Sequence, residues 1–186
     1  MLKMRISALL CLSLVSVINF SCKSEVEGQT GEKNMIKVTS TAFKEGEMIP
    51  AKYTCDGEDV SPPLAFGEVP EKTLSLALIC DDPDAPRETF VHWVVYNLPG
   101  ERREIEEKYP AEKRLPDGSR QGETSFGKTG YGGPCPPSGT HRYYFKVYAL
   151  DKVLTIEEPI NKESLVEAMK THVIAEGQLM GRYARR

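Results

Sequence analysis

The chain has 186 residues, of which 27% are charged and 40% hydrophobic, and its net charge is −3. That length suits one ordinary domain with a core of its own and is too short for two. An acidic chain without a Lys/Arg stripe lacks the basic surface that nucleic-acid phosphates demand, so nucleic acid is excluded as a partner.

The N-terminal segment reads separately from the rest. Lys3 and Arg5 precede an apolar run from Ile6 to Ile18, broken only by Ser7, Cys11, Ser13 and Ser16. This run is too short for a comfortable membrane span and has the layout of a secretory signal peptide. It ends in Asn19-Phe20-Ser21-Cys22, which resembles the lipobox of bacterial lipoproteins, where the cysteine takes lipid and becomes the first residue. Asn19 stands where that pattern usually has Leu, and Phe20 where it has a smaller residue. An ordinary cleaved signal without lipid is the alternative. The residues from Lys23 to Asn34 are polar and rich in Gly, Glu and Lys, as a flexible tether would be. The expected organisation is a signal peptide at 1–21, a lipidated Cys22 with its tether to residue 34, and one domain at 35–186. Such a protein sits in the cell envelope on a membrane anchor or, without the lipid, is periplasmic or secreted.

Within the domain, β-branched and aromatic content predicts strands at Ile36 to Thr39, Leu74 to Cys80, Phe90 to Leu98 and His141 to Leu150. In the third, alternation puts Val91, Trp93 and Val95 on one face and His92, Val94 and Tyr96 on the other, the mark of a strand covered on both sides. In the fourth, His141, Tyr143, Phe145, Val147 and Ala149 share one face and Arg142, Tyr144, Lys146 and Tyr148 the other. Glu101 to Tyr109 pairs Arg103 with Glu107 and Glu104 with Lys108, which suits a short exposed helix or turn. Asn161 to Thr171 is a better helix, with Leu165, Val166 and Met169 on one side and Asn161 placed to cap it. Val173 to Tyr183 fits helix or strand by pattern alone. Of the domain's three cysteines, Cys80 ends an apolar run as a buried small hydrophobe, while Cys55 and Cys135 lie in turn-rich segments and make the expected disulfide pair.

Three segments combine polar, titratable residues with conformational restraint. Asp82-Pro83-Asp84-Ala85-Pro86 holds two carboxylates in a Pro-rigid turn, either for a ligand or as Asx turns that cap their own backbone. His92 lies in the most apolar strand, where a histidine is a ligand-binding group or a satisfied core residue. The loop from Gly130 to Thr140 is rich in Gly and Pro; its N–H groups could form an anion nest, and its prolines could hold a cis peptide.

Taken in order, DPDAP, VHW and GGPCPPSGTHRY resemble the signature of the phosphatidylethanolamine-binding protein family, in the bacterial branch called Raf-kinase-inhibitor-like proteins. The resemblance runs from about Ile36 to Arg186 and includes Tyr53-Thr54-Cys55-Asp56-Gly57, Phe126-Gly127-Lys128-Thr129-Gly130-Tyr131 and Ala175 to Tyr183. It implies a mainly β fold, a β-sandwich of two antiparallel sheets with a few short peripheral helices, and makes the ambiguous tail a strand. It also implies a small pocket for phosphate-like anions, phosphorylated small molecules or phospholipid head groups. Carried over by motif, the lining is Asp82, His92, Gly133, Cys135, His141 and Tyr143, with Asp84 and Arg142 as a supporting ion pair. Many relatives have a glycine where Cys135 stands, which narrows the pocket mouth here. Kinase binding, known for eukaryotic relatives, is not carried over to an envelope protein.

Elementary chemistry suits that set. Two histidines and main-chain N–H groups supply donors, and Asp82 can accept from one imidazole nitrogen, fix its tautomer and favour the charged ring. Binding is then expected to strengthen as pH falls through the histidine range. No cofactor, metal or catalysis is expected. The alternatives are a hydrolase using Cys135 or a pocket water with His141 as base, and a metal site of Asp82, His92 and His141. Lipidation at Cys22 predicts partitioning into detergent and incorporation of labelled palmitate, both lost in Cys22→Ala. A wild-type protein that stays aqueous and unlabelled is simply secreted.

Overall fold

The computed structural model describes residues 34–185; the signal, Cys22 and nearly all of the tether fall outside that range. Strands β1 (Asn34–Met35), β2 (Val38–Thr39), β3 (Leu64–Phe66), β4 (Ser75–Asp82), β5 (Phe90–Pro99), β6 (Glu104–Ile105), β7 (Arg120–Gln121), β8 (His141–Leu150) and β9 (Val173–Tyr183) form two sheets. The larger runs β1-β9-β8-β4-β5-β7, antiparallel except where β1 meets β9; the smaller is the antiparallel set β2-β3-β6. One α-helix, α1 (Lys162–Met169), and one turn of 3-10 helix at Ala51–Tyr53 lie outside the sheets. The fold is the β-sandwich expected from the resemblance.

The large sheet is buried on both faces. On one, Leu76, Leu78, Cys80, Trp93, Val95, Phe145 and Val147 meet Val38, Leu64, Phe66 and Ile105 of the smaller sheet. On the other, Ala77, Ile79, Val91, Val94 and Tyr96 meet Leu165 and Met169 of α1 with Leu154 and Ile160 of the preceding loop. Continuous burial along β4 follows from its central place between β5 and β8. The helix starts at Asn161, whose Oδ1 accepts from the backbone N of Ser164 at 3.0 Å. Asp81 and Asp82 then point to opposite faces. Asp81 takes Lys146 Nζ at 2.8 Å and Lys162 Nζ at 2.6 Å, tying β8 and the first residue of α1 to β4. Asp82 is left for the other side.

Several expectations are corrected. Ile36 to Thr39 is not one strand, because β1 and β2 belong to different sheets. β4 runs on to Asp82, so this carboxylate ends a strand rather than sitting in the turn after it. Within Glu101 to Tyr109 the chain makes β6, since burial of Ile105 under β3 outweighs surface charge pairing. There Glu107 binds Lys52 at 2.6 Å and Lys108 binds Glu58 at 2.8 Å, in place of the partners four residues away. Among the described residues the cis peptide is Glu158–Pro159, not in the Pro-rich loop.

The alternation of β5 is also interrupted. Asp81 pairs with Val91 but Cys80 with Trp93, so one step of β4 spans two residues of β5, and His92 is the extra one. The bulge turns His92 to the same side as Trp93, whereas Val91 joins Val94 and Tyr96 on the helix side.

A disulfide joins Cys55 and Cys135, 80 residues apart, with Cα atoms 5.4 Å from each other, and Cys80 is a buried free thiol. Closing a loop of that length should stabilise the fold by up to about 4.5 kcal/mol. Chemical denaturation of the Cys55→Ser/Cys135→Ser double variant, against the oxidised wild type, should show a loss approaching that size. Equal stability would mean that the bridge constrains nothing in the unfolded chain.

Candidate functional site

Three strand ends and one loop converge on a cavity of about 200 Å³. Asp82 arrives from the end of β4, His92 from the bulge in β5, and His141 and Tyr143 from the start of β8. Cys135 comes from the Pro-rich loop. Apolar walls are supplied by Phe90, Phe126, Pro86, Pro136 and Pro137. The two Phe rings stand edge to face at 4.8 Å, and Phe126 is 41% exposed at the mouth.

Asp82 serves two groups with two oxygens. Its Oδ1 accepts the backbone N–H of Asp84 at 2.8 Å, an Asx turn, and its Oδ2 accepts from Nδ1 of His141 at 2.7 Å. The capping role weighed from sequence is therefore present, and the same side chain also lines the cavity through its bond to His141. A carboxylate can only accept, so Nδ1 of His141 carries the proton and Nε2 is left over.

His92 is anchored differently. Its Nδ1 lies 2.7 Å from the carbonyl O of Gly132, whose own N–H donates back to the His92 carbonyl at 3.0 Å. Burial pushes the imidazolium below the usual histidine range, against the smaller opposing pull of the Gly132 carbonyl and Asp82. This corrects the expectation that both rings supply donors to a ligand: the Nδ1–H of His92 is spent on Gly132, and burial disfavours its charged form.

Tyr143 packs its ring edge to face against His92 at 5.1 Å and is fully buried. Its hydroxyl has no hydrogen-bond partner among the described residues. Burial, then the nearby Asp82 carboxylate, holds the phenol well above its usual range, although no hydrogen bond closes between the two. The Tyr143 O–H is thus a retained donor.

Asp84 and Arg142 stand at the rim as a two-pronged pair. Arg142 Nε and Nη2 donate to the carboxylate at 2.9 and 2.7 Å, and the Arg142 backbone N–H donates at 2.9 Å. The guanidinium holds the Asp84 carboxyl down to about 2. This pair clamps the turn after β4 to the start of β8.

Gly133 does not line the cavity. Its N–H donates to Asp59 Oδ1 at 2.6 Å, and a Cβ there would lie 2.6 Å from that oxygen and from the Tyr53 carbonyl. With the Gly132 and Gly133 amides both committed, the loop is not the nest expected of it. What remains is the N–H of Cys135, which donates to no group among the described residues. The Cys135 sulfur is bound to Cys55, so it has no thiolate with which to attack, and the reading of Cys135 as a nucleophile falls. Nor do Asp82, His92 and His141 converge as metal ligands, since no group of three His, Cys, Asp or Glu among the described residues could hold an ion.

Comparison with known proteins decides the family. The family model for phosphatidylethanolamine-binding protein matches residues 39–184. The chain belongs to the phosphatidylethanolamine-binding protein family. A UPF0098 protein of Methanothermobacter thermautotrophicus is 54% identical over 144 residues, covering 77% of this chain and 95% of its own. One from Aquifex aeolicus is 45% identical over 81% of this chain and 90% of its own. The crystal structure of a phosphatidylethanolamine-binding protein homologue from Chlamydia trachomatis superposes with a TM-score of 0.76 at 45% identity, over 82% of this chain and 99% of that one. That of Escherichia coli YbcL, described as a member of the mammalian family, gives 0.74 at 32% identity, over 81% and 99%.

For this phosphatidylethanolamine-binding protein relative, sequence reasoning missed the apolar half of the pocket. Phe90 lies two residues before His92, and Phe126 opens a matched motif. Neither carries a polar atom, and neither was singled out.

The depressed His92 has a consequence for stability. The unfolded chain takes up a proton at the ordinary histidine value and the folded one only below it. Folding is therefore most favourable above the ordinary value and weakens as pH falls through the window beneath it. Denaturation of wild type between about pH 7 and about pH 5 should show a slope of up to about 1.4 kcal/mol per pH unit beyond that of His92→Asn. Parallel profiles would show that His92 titrates alike in both states.

Proposed function

We propose that this protein is a binding module, not an enzyme, and that its pocket holds a phosphate-like anion, free or as part of a phosphorylated small molecule or head group. The reading rests above all on the Tyr143 hydroxyl, a fully buried donor without a partner at a cavity. Leaving such a group unsatisfied costs about 1–3 kcal/mol, which a ligand oxygen would recover. The Asp82–His141 bond presents an oriented imidazole beside it. The apolar rim of Phe90, Phe126 and the prolines suits a small head with an organic substituent.

The site also favours binding over turnover. Its one sulfur is in a disulfide, so no thiolate is available there as a nucleophile. We propose further that the domain works on a lipid anchor at Cys22 in the cell envelope, a reading supported by the signal-like residues 1–21 and the polar tether after them.

Calorimetric titration of inorganic phosphate into wild type and Tyr143→Phe tests the pocket. Removing the hydroxyl deletes no internal hydrogen bond, so Tyr143→Phe should melt at or above the wild-type temperature while binding phosphate about tenfold more weakly. Unchanged phosphate affinity in the variant would place the anion site elsewhere.

A further inference from the structure

The hydrogen-bonding inventory of the pocket is lopsided in a way that bears on what can enter. Its free donor is the Tyr143 O–H. Asp82 is an acceptor only. The decisive group is His92. A carbonyl oxygen cannot donate, so the 2.7 Å contact with Gly132 puts the ring proton on Nδ1. Nε2, on the far edge of a ring that lines the cavity, makes no bond among the described residues and presents a lone pair. The surroundings keep it so. Phe90 from its own strand, Phe126 from the loop and Tyr143 from β8 pack their rings around the imidazole. The carboxylate on this side, Asp82, is already bonded to His141. Burial holds the His92 ring neutral. With its proton held on Nδ1 by the Gly132 carbonyl, the neutral ring offers Nε2 as an acceptor.

A ligand made only of acceptor oxygens, such as sulfate or a phosphate diester, would set one of those oxygens against the Nε2 lone pair. A phosphate monoester or inorganic phosphate with one proton avoids this. Its P–OH donates to Nε2 while another of its oxygens takes the Tyr143 O–H. We propose that the pocket selects singly protonated phosphate, free or as a monoester, and that His92 determines this specificity by accepting the ligand's proton in a hydrogen bond. The inference rests on the anion-binding reading above and narrows it, since a phospholipid diester has no such proton to offer. His92 would then discriminate by leaving a protonless ligand with a repulsive contact rather than by attracting the right one more strongly.

The test is a ligand series on the folded wild-type domain at about pH 6, where monoesters keep a large share of the singly protonated form. Inorganic phosphate, methyl phosphate, dimethyl phosphate and sulfate are titrated in turn. Inorganic and methyl phosphate should bind at least about tenfold more tightly than dimethyl phosphate and sulfate. Sulfate is small and dimethyl phosphate is singly charged, so neither size nor charge alone reproduces that order. In His92→Asn, which keeps a donor for the Gly132 carbonyl but removes Nε2, the preference should shrink towards onefold. Sulfate or dimethyl phosphate binding within about twofold of methyl phosphate in wild type overturns the selectivity while leaving the anion pocket intact. Failure of all four ligands to bind overturns the anion reading itself.

Discussion

One extra residue in β5 positions the site. Opposite the single step from Asp81 to Cys80, β5 spends two residues, and His92 is thereby turned towards the cavity instead of into the helix-side core. Without that bulge, strict alternation would send His92 with Val94 and Tyr96 against α1, and the Nδ1 contact with Gly132 would be lost.

Around that residue, the scaffold fixes the polar atoms before any ligand arrives. Asp82 holds His141, Gly132 holds His92, Asp59 holds Gly133, and the Asp84–Arg142 pair locks the two strand ends together. The disulfide tethers the Pro-rich loop to the turn after the 3-10 helix. A site so constrained loses little entropy on binding. Its unspent capacity lies in the Tyr143 hydroxyl and the Nε2 atoms of the two rings. Two consecutive carboxylates illustrate the division of labour. Asp81 pairs with lysines that bind helix to sheet, and Asp82 with His141 at the pocket.

Much of this was legible in the residues. The long strands β4, β5 and β8 follow β-branched and aromatic runs. The helix follows its Asn161 cap, and the motif order DPDAP, VHW and THRY named the side chains that meet at the cavity. Less legible were the short strands β3, β6 and β7, of two or three residues each, too brief for any period to register. Ile105 was hidden among charges that pointed to helix or turn, because its burial depends on a strand some forty residues away.

Sequence by itself determined the chemical types available and, through the resemblance that its motif order carries, the sandwich family, since residue types and motif order are local properties of the chain. It also marked Cys55 and Cys135 as the pair outside the core. Only the tertiary structure decided what each group does. Gly133 left the pocket because Asp59, distant in sequence, captured its amide. Tyr143 became an unpartnered donor because packing brought it beside Asp82 without closing a bond. His92 became a neutral acceptor because a bulge and the Gly132 carbonyl fixed its proton on Nδ1. Donor and acceptor roles depend on which atoms come within about 3 Å in space, and spacing along the chain does not encode that distance.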